Sequence, residues 1–382
     1  MFDNQRVKFD IPDDVHYFNC AYMGPLPNET VDAGIKGVRR KAQPWEIGAP
    51  DFFTQSGLAR KLFAGLINAQ SEDIAIIPAV SYGTAVAALN LPINASDEIL
   101  VLEEEFPSNI YAWRTQAIKQ GATIKTVARP DDNDWTSAVL EALDAKVKIA
   151  VLPHTHWVDG GQLNLKLLAD VLHKMDCALV LDVTQSLGVV SLDVQTIKPD
   201  FLICATYKWL LGPYSLGFLY VDKKHHHGLP LEQGWVNRPG AENFSRLIDY
   251  TDTLNPDASR FDVGERSNMH LLPMAISSLE QIHAWGPAEI EKSLHAYTTQ
   301  LLAGLETLGF ETCHKDYRSP HYLSVIYRHG LPADLLSQLA SQNIFISQRG
   351  DHLRITPHLY NNQHDSDRLL TVLSTFLKEN IK

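Results

Sequence analysis

The chain has 382 residues, 45% hydrophobic and 20% charged. At about 150 residues per domain this suggests two globular units, and it excludes both a disulfide-stapled miniprotein and a disordered chain. With 33 Lys+Arg against 45 Asp+Glu the formal charge is −12. No local basic patch offsets it, so nucleic acid is excluded as a partner. Cys20, Cys177, Cys204 and Cys313 are scattered without a CxxC pair, which speaks against a zinc site or disulfide framework and fits a reducing cytoplasm. The first residues, MFDNQRVKFDIPDD, lack the apolar core of a signal peptide. No stretch approaches the roughly 18 uninterrupted apolar residues of a membrane span, so a soluble protein is expected.

From about residue 70 to 221, short apolar runs (74–80, 99–102, 124–127, 149–152, 178–182, 201–204 and 216–221) alternate with longer stretches. Three of these, 110–120, 135–143 and 163–175, carry apolar residues three or four apart, the period of a helix packed on one face. Continuous apolar strands separated by helices predict an α/β fold with a mostly parallel sheet covered on both faces. Ligands of such sheets bind at the carboxyl ends of the strands. Beyond 221, Lys223-Lys-His-His-His227 reads as a solvated loop, because consecutive histidines do not converge on one metal ion. Residues 271–285 and 288–308 read as long helices. Segments 322–327, 335–342, 344–347, 353–356 and 365–377 then read as a small α+β unit.

Strand ends carry the candidate chemistry. Lys208 follows Phe201-Leu-Ile-Cys-Ala-Thr-Tyr and precedes Trp-Leu-Leu; desolvation there lowers an amine's pKa and makes it a nucleophile toward a carbonyl. On position alone, a lysine snorkelling to solvent fits as well. Asp182 closes Ala178-Leu-Val-Leu, where a carboxylate is costly unless it meets a cation, although an N-cap role is also open. Ending neighbouring runs, the two match the groups that pyridoxal phosphate most needs, an amine for the aldehyde and an anion for the ring nitrogen. Ile77-Pro-Ala-Val-Ser-Tyr-Gly83-Thr84 is strand, turn and helix start, a form that seats anions. Phe106, after the next strand, suits stacking on a flat ring or packing in the core.

Taken in order, from Tyr17-Phe-Asn-Cys-Ala-Tyr-Met-Gly-Pro-Leu-Pro27 to Leu353-Arg-Ile-Thr-Pro-His-Leu-Tyr-Asn361, these motifs resemble the class V aminotransferase-like enzymes of the fold type I pyridoxal phosphate group. That family includes cysteine desulfurases, kynureninases and isopenicillin N epimerase-like proteins. The resemblance implies a large cofactor domain over 16–265, with 1–15 and 266–382 forming a small α+β domain. It implies that Lys208 holds pyridoxal 5'-phosphate as a Schiff base, Asp182 pairs with the pyridine nitrogen and Gln185 bonds the phenolic oxygen. Phe106 would stack on the ring, His156 would lie near it, and Tyr207, Gly83, Thr84 and Trp235 would contribute to the phosphate site. Arg354 would bind the substrate carboxylate. Arg260-Phe-Asp-Val-Gly-Glu-Arg-Ser-Asn268 matches a loop that reaches the neighbouring active site of a homodimer, with Ser267 or Asn268 on the phosphate.

The segment 344–352 has no cysteine where desulfurases of the family carry their nucleophile, so persulfide chemistry is not expected. Ala205 and Ser81-Tyr-Gly-Thr84 also depart from the desulfurase phosphate cup. The expected reaction is transamination of an amino acid, ahead of β- or γ-elimination and of epimerisation. A binding protein without turnover is the alternative of another class. A nicotinamide enzyme is disfavoured because no GxGxxG follows any strand.

Overall fold

The computed structural model describes residues 2 and 4–380; of the small domain expected on sequence, positions 1, 3, 381 and 382 lie outside the described residues. Its strands, in chain order, are β1 (His16–Tyr17), β2 (Ile74–Ile77), β3 (Glu98–Leu102), β4 (Thr123–Val127), β5 (Val147–Pro153), β6 (Ala178–Asp182), β7 (Phe201–Ala205) and β8 (Gly217–Val221). After a long helical stretch come β9 (Phe310–Glu311), β10 (Leu323–Tyr327), β11 (Ile344–Phe345), β12 (Ser347–Arg349) and β13 (His352–Ile355).

Seven strands form one sheet in the order β2-β8-β7-β6-β5-β3-β4. All neighbours are parallel except β8, which runs antiparallel to both β2 and β7. The order reverses where β3 lies beside β5, the kind of switch point at which such sheets open a crevice. The first apolar run stops at Ile77 rather than reaching residue 80. Pro78 lacks the N–H to continue a ladder, and the helix Val80–Asn90 starts two residues later.

Alternation along the strands explains why these runs are apolar throughout. Leu179 and Leu181 enter one core and Val180 the other; Leu202 and Cys204 likewise face away from Phe201 and Ile203. Each fully buried aliphatic side chain stabilises the fold by about 1.5–3 kcal/mol relative to exposure, so helices must cover both faces. A third core, built on Phe18, Leu301, Phe310, Leu323, Leu353 and Leu369, lies under a second sheet of order β12-β13-β10-β9.

The helix Leu271–Trp285, read on sequence as part of the small unit, packs against helices Asn28–Lys41 and Thr54–Leu66. Its Leu272, Leu279 and Ile282 enter the core of the large sheet. The next helix, Pro287–Thr307, bridges the two cores, with Ile290 and Leu294 in the first and Leu301 and Leu305 in the third. The histidine run is not a free loop either. Lys223–His225 form a 3-10 turn, His225 bonds Asp200 at 2.7 Å and stacks on Phe201, and His226 lies 3.5 Å from Asp73. No group of three or more metal-ligating side chains occurs among the described residues, and no helix among them is long and apolar enough to cross a membrane.

Candidate active site

Asp182 is the last residue of β6, and Lys208 stands three residues beyond the end of its neighbour β7. A tight turn fixes the lysine. Thr206 donates its hydroxyl to Pro213 and Leu216 carbonyls at 2.6 and 3.0 Å, Gly212 N–H donates to Thr206 O, and Leu211 N–H donates to Lys208 O at 3.1 Å. Leu211 sits at φ 53°, a left-handed conformation that costs a branched side chain energy and that its buried surroundings must hold. The N-terminal segment closes over this turn through Gly24, whose N–H donates to Tyr207 O. A Cβ at Gly24 would lie 2.1 Å from Lys208 O, so only glycine permits the approach.

The Lys208 amine opens into a cavity of about 270 Å³ lined also by Tyr22, Phe106, Trp157, Tyr207, Tyr214, Arg349 and Arg354. Its Nζ lies 5.2 Å from the Phe106 ring centroid and 5.6 Å from that of Tyr207. Burial disfavours the ammonium, Asp182 opposes this and Arg354 and Arg349 reinforce it; the result is an amine pulled down to about 8. Asp182 is itself buried, and its carboxylate accepts Thr184 N–H at 2.9 Å. Burial lifts this carboxyl above its usual range despite that bond and the Lys208 charge. Among the described residues it makes no ion pair within 4 Å, so a cation brought against it would complete its surroundings.

The other predicted residues divide into groups. Gln185 is buried next to Asp182, its amide oxygen accepting Trp209 Nε1–H at 3.0 Å and its amide nitrogen donating to Ala21 O at 3.1 Å, which leaves one N–H uncommitted. Arg354 is buried and reaches the cavity. Its Nε and Nη2 donate to Ser347 Oγ, and Nη1 donates to Trp157 O and Tyr322 Oη, at 2.9 to 3.3 Å. The fork is thus held by neutral oxygens, with one N–H to spare.

His156 lies behind the cavity rather than on its wall. Its Nδ1 is 3.1 Å from Asp159 and its Nε2 lies 3.1 Å from Glu103 O. Gly83 packs on Ile203 and Ile77, and Thr84 is buried with its hydroxyl turned back to Val80 O. At this helix start the exposed hydroxyl is that of Ser81. Trp235, Ser267 and Asn268 line a separate cavity of about 430 Å³. There Ser267 donates to Phe52 O, and Asn268 accepts the N–H groups of His270 and Leu271.

The aminotransferase class-V family model matches residues 51–368. The chain belongs to the class V aminotransferase family of pyridoxal phosphate enzymes. It is 26% identical to a kynureninase of Bacillus cereus over 362 residues, covering 90% of this chain and 82% of that one. It is 23% identical to the isopenicillin N epimerase of Amycolatopsis lactamdurans over 395 residues, covering 98% of each. A structure of C-DES with glycine covalently linked to its PLP cofactor superimposes with a TM-score of 0.87 at 20% identity, over 97% of this chain and 99% of that one.

The residues present fit the cofactor of a class V aminotransferase. A buried carboxylate without an ion-pair partner, an amine of lowered proton affinity and an aromatic ring converge at one sheet edge. Other contributors lacked a sequence signal. Trp157, in a loop after β5, forms the cavity wall edge-on to Phe106 at 5.4 Å. Arg349 lines the cavity from β12. Glu105 is buried, and its desolvated carboxyl is lifted to about 7. No periodicity or motif marked these three. Cys20 and Cys204 are close by but buried, and burial pushes both thiols up, away from the thiolate that nucleophilic sulfur chemistry requires.

Proposed function

We propose that this enzyme is an aminotransferase acting on an amino acid. The observation that carries the reading is the cavity base: its lining includes a single amine, Lys208. Bound there, pyridoxal phosphate supplies an electron sink for the amino acid's α-carbon. Lys208 would hold the cofactor and, with its proton affinity lowered, would serve as the base that moves the substrate's α-proton along one face. Asp182 would keep a proton on the cofactor's ring nitrogen, Gln185 would offer its spare N–H to the phenolic oxygen, and Phe106 would stack on the ring and exclude water. Arg354 offers its remaining N–H and its charge to the α-carboxylate.

One-faced proton transfer suits transamination, whereas inversion at the α-carbon needs a second base opposite the first. Tyr207 serves poorly for that: burial pushes it up to about 12. The similarity to a kynureninase favours a second reading, a lyase on the same residues. We further propose that two copies pair in a reducing cytoplasm, each lending its Trp235, Ser267 and Asn268 region to the other's phosphate site. Exposed Trp45, Ile248 and Tyr250 support an interface on this chain, to be checked by sedimentation.

A spectral screen of the cofactor-loaded protein against an amino-acid panel tests the reading. A transaminase turns over only with an oxo acid acceptor. Release of pyruvate, alanine or ammonia without acceptor would establish a lyase, and α-proton exchange alone an epimerase. No spectral response to any amino acid would point to a binding protein.

A further inference from the structure

The reading above uses one arginine, yet two face Lys208. Arg349 ends β12, Arg354 lies in β13, and the strands are antiparallel with Arg349 opposite His352. Arg354 is two residues beyond His352, so the two arginines share a face of the sheet as diagonal neighbours, about 7–8 Å apart by strand geometry. Both guanidinium groups lie against the same indole, Arg349 Cζ at 5.4 Å and Arg354 Cζ at 5.6 Å from the Trp157 centroid.

Among the described residues neither arginine has a carboxylate partner. The Arg349 guanidinium donates to the Gln348 carbonyl, and Arg354 to the neutral oxygens described above. Several arginines of low exposure are matched, Arg129 to Asp159 and Glu104, Arg60 and Arg266 to Asp262, Arg6 to Asp365, whereas buried Arg318 has no ion pair among the described residues but lies outside this cavity. In a chain of formal charge −12, with acidic residues in excess, two adjacent unmatched cations in one cavity stand out. Burial and the nearby Arg354 charge both pull Arg349 below the usual guanidinium value, which an arriving anion would reverse.

We propose that the substrate is an amino acid carrying a second carboxylate on its side chain, with Arg354 taking the α-carboxylate and Arg349 the distal one. The proposal rests on the reading of the Lys208 cavity as the amino-acid site. A monocarboxylic substrate would leave one guanidinium uncompensated against Trp157. A dicarboxylic one pairs both, and discrimination follows because a charge-assisted hydrogen bond lost at a desolvated site costs about tenfold or more in affinity.

The test is equilibrium binding to the cofactor-loaded enzyme, read from the visible cofactor band, so that turnover is not needed. The probes are the unreactive diacids succinate and glutarate and the pairs aspartate/asparagine and glutamate/glutamine. Wild type is expected to bind at least one diacid and to prefer an acid over its amide by about tenfold or more. Arg349→Gln should reduce that preference to near unity by weakening the acid more than the amide, and Arg349→Lys should restore part of it. Arg354→Gln should weaken acid and amide together.

Equal wild-type affinity within each pair, with the cofactor band intact, overturns the proposal while leaving the site reading standing. Loss of the cofactor band in Arg349→Gln also overturns it, because Arg349 would then serve the cofactor. Absence of any lysine-bound cofactor band in wild type fails the underlying reading instead.

Discussion

Two buried aspartates near adjacent strand ends have been treated in opposite ways. Asp159, in the loop after β5, is enclosed: Arg129 lies at 2.6 Å, His156 at 3.1 Å, Trp135 Nε1–H donates at 3.0 Å and Gly161 N–H at 2.8 Å. Burial works against its charge, but His156 and Arg129 prevail, and the carboxyl falls to about 2. Asp182, at the end of β6, has Thr184 N–H and a distant share of the Lys208 charge, and burial lifts it. The contrast teaches that Asp159 has its charge completed within the protein, whereas the charge of Asp182 is left to be completed by something else, which is what the proposed cofactor would do. The same distinction separates Arg129 from Arg349 and Arg354.

Lys208→Ala should have the largest effect, abolishing the lysine-bound cofactor band and lowering turnover by about 10⁴ or more; an unchanged band would remove the site altogether. Asp182→Asn should lower turnover on the order of 10²–10³ while leaving the melting temperature of the cofactor-free protein unchanged or higher, since it removes a costly buried charge. Asp159→Asn should do the reverse. It leaves Arg129 and His156 without their anion and should cost about 3–5 kcal/mol of stability, measured by denaturant unfolding. If both variants lost stability equally, the distinction between finished and unfinished charge would fail.

The pH dependences differ in sign. The folded-state carboxyl of Asp159 lies below the unfolded value of about 3.9, so its contribution is fully present above about pH 4 and is lost as pH falls toward 2. Asp182 is shifted the other way, so its ionisation opposes folding, and acidification relieves that cost as the carboxyl protonates. Lys208, depressed to about 8, should capture added cofactor at a rate that rises with pH about a midpoint near 8. A midpoint near the ordinary lysine value would mean that the amine is solvated. The smallest effect expected is that of Phe106→Leu, a few-fold loss of cofactor affinity from lost ring stacking, measured by dialysis.

The sequence revealed most where burial forces a simple pattern. Six of the seven large-sheet strands coincide with apolar runs to within two residues at either end, because all of them except the edge strand β4 are buried along nearly their whole length. Lys208 and Asp182 stood out as polar residues closing such runs. The first run was overextended past Pro78, where apolar Ala79 and Val80 continue the composition but not the ladder. Gly83 and Thr84 were grouped with the phosphate cup because a helix start looks alike from all its sides; packing decides that Gly83 meets Ile203 and leaves Ser81 outward. Trp157 and Arg349 carried no signal, since Trp157 is set by a loop-to-loop contact with Glu104 and Arg349 reaches the Lys208 cavity only from the small sheet. His156 looked like a cofactor neighbour and instead serves the Asp159 cluster, a distinction that depends on contacts distant in sequence.

The most direct test of the central claim, that Lys208 is the amine that meets the cofactor opposite Asp182, is borohydride reduction of the cofactor-loaded protein followed by peptide mapping. The account predicts one stably labelled peptide, with the added cofactor mass on Lys208. Label on another lysine, or none at all in protein that has demonstrably bound cofactor, would contradict it.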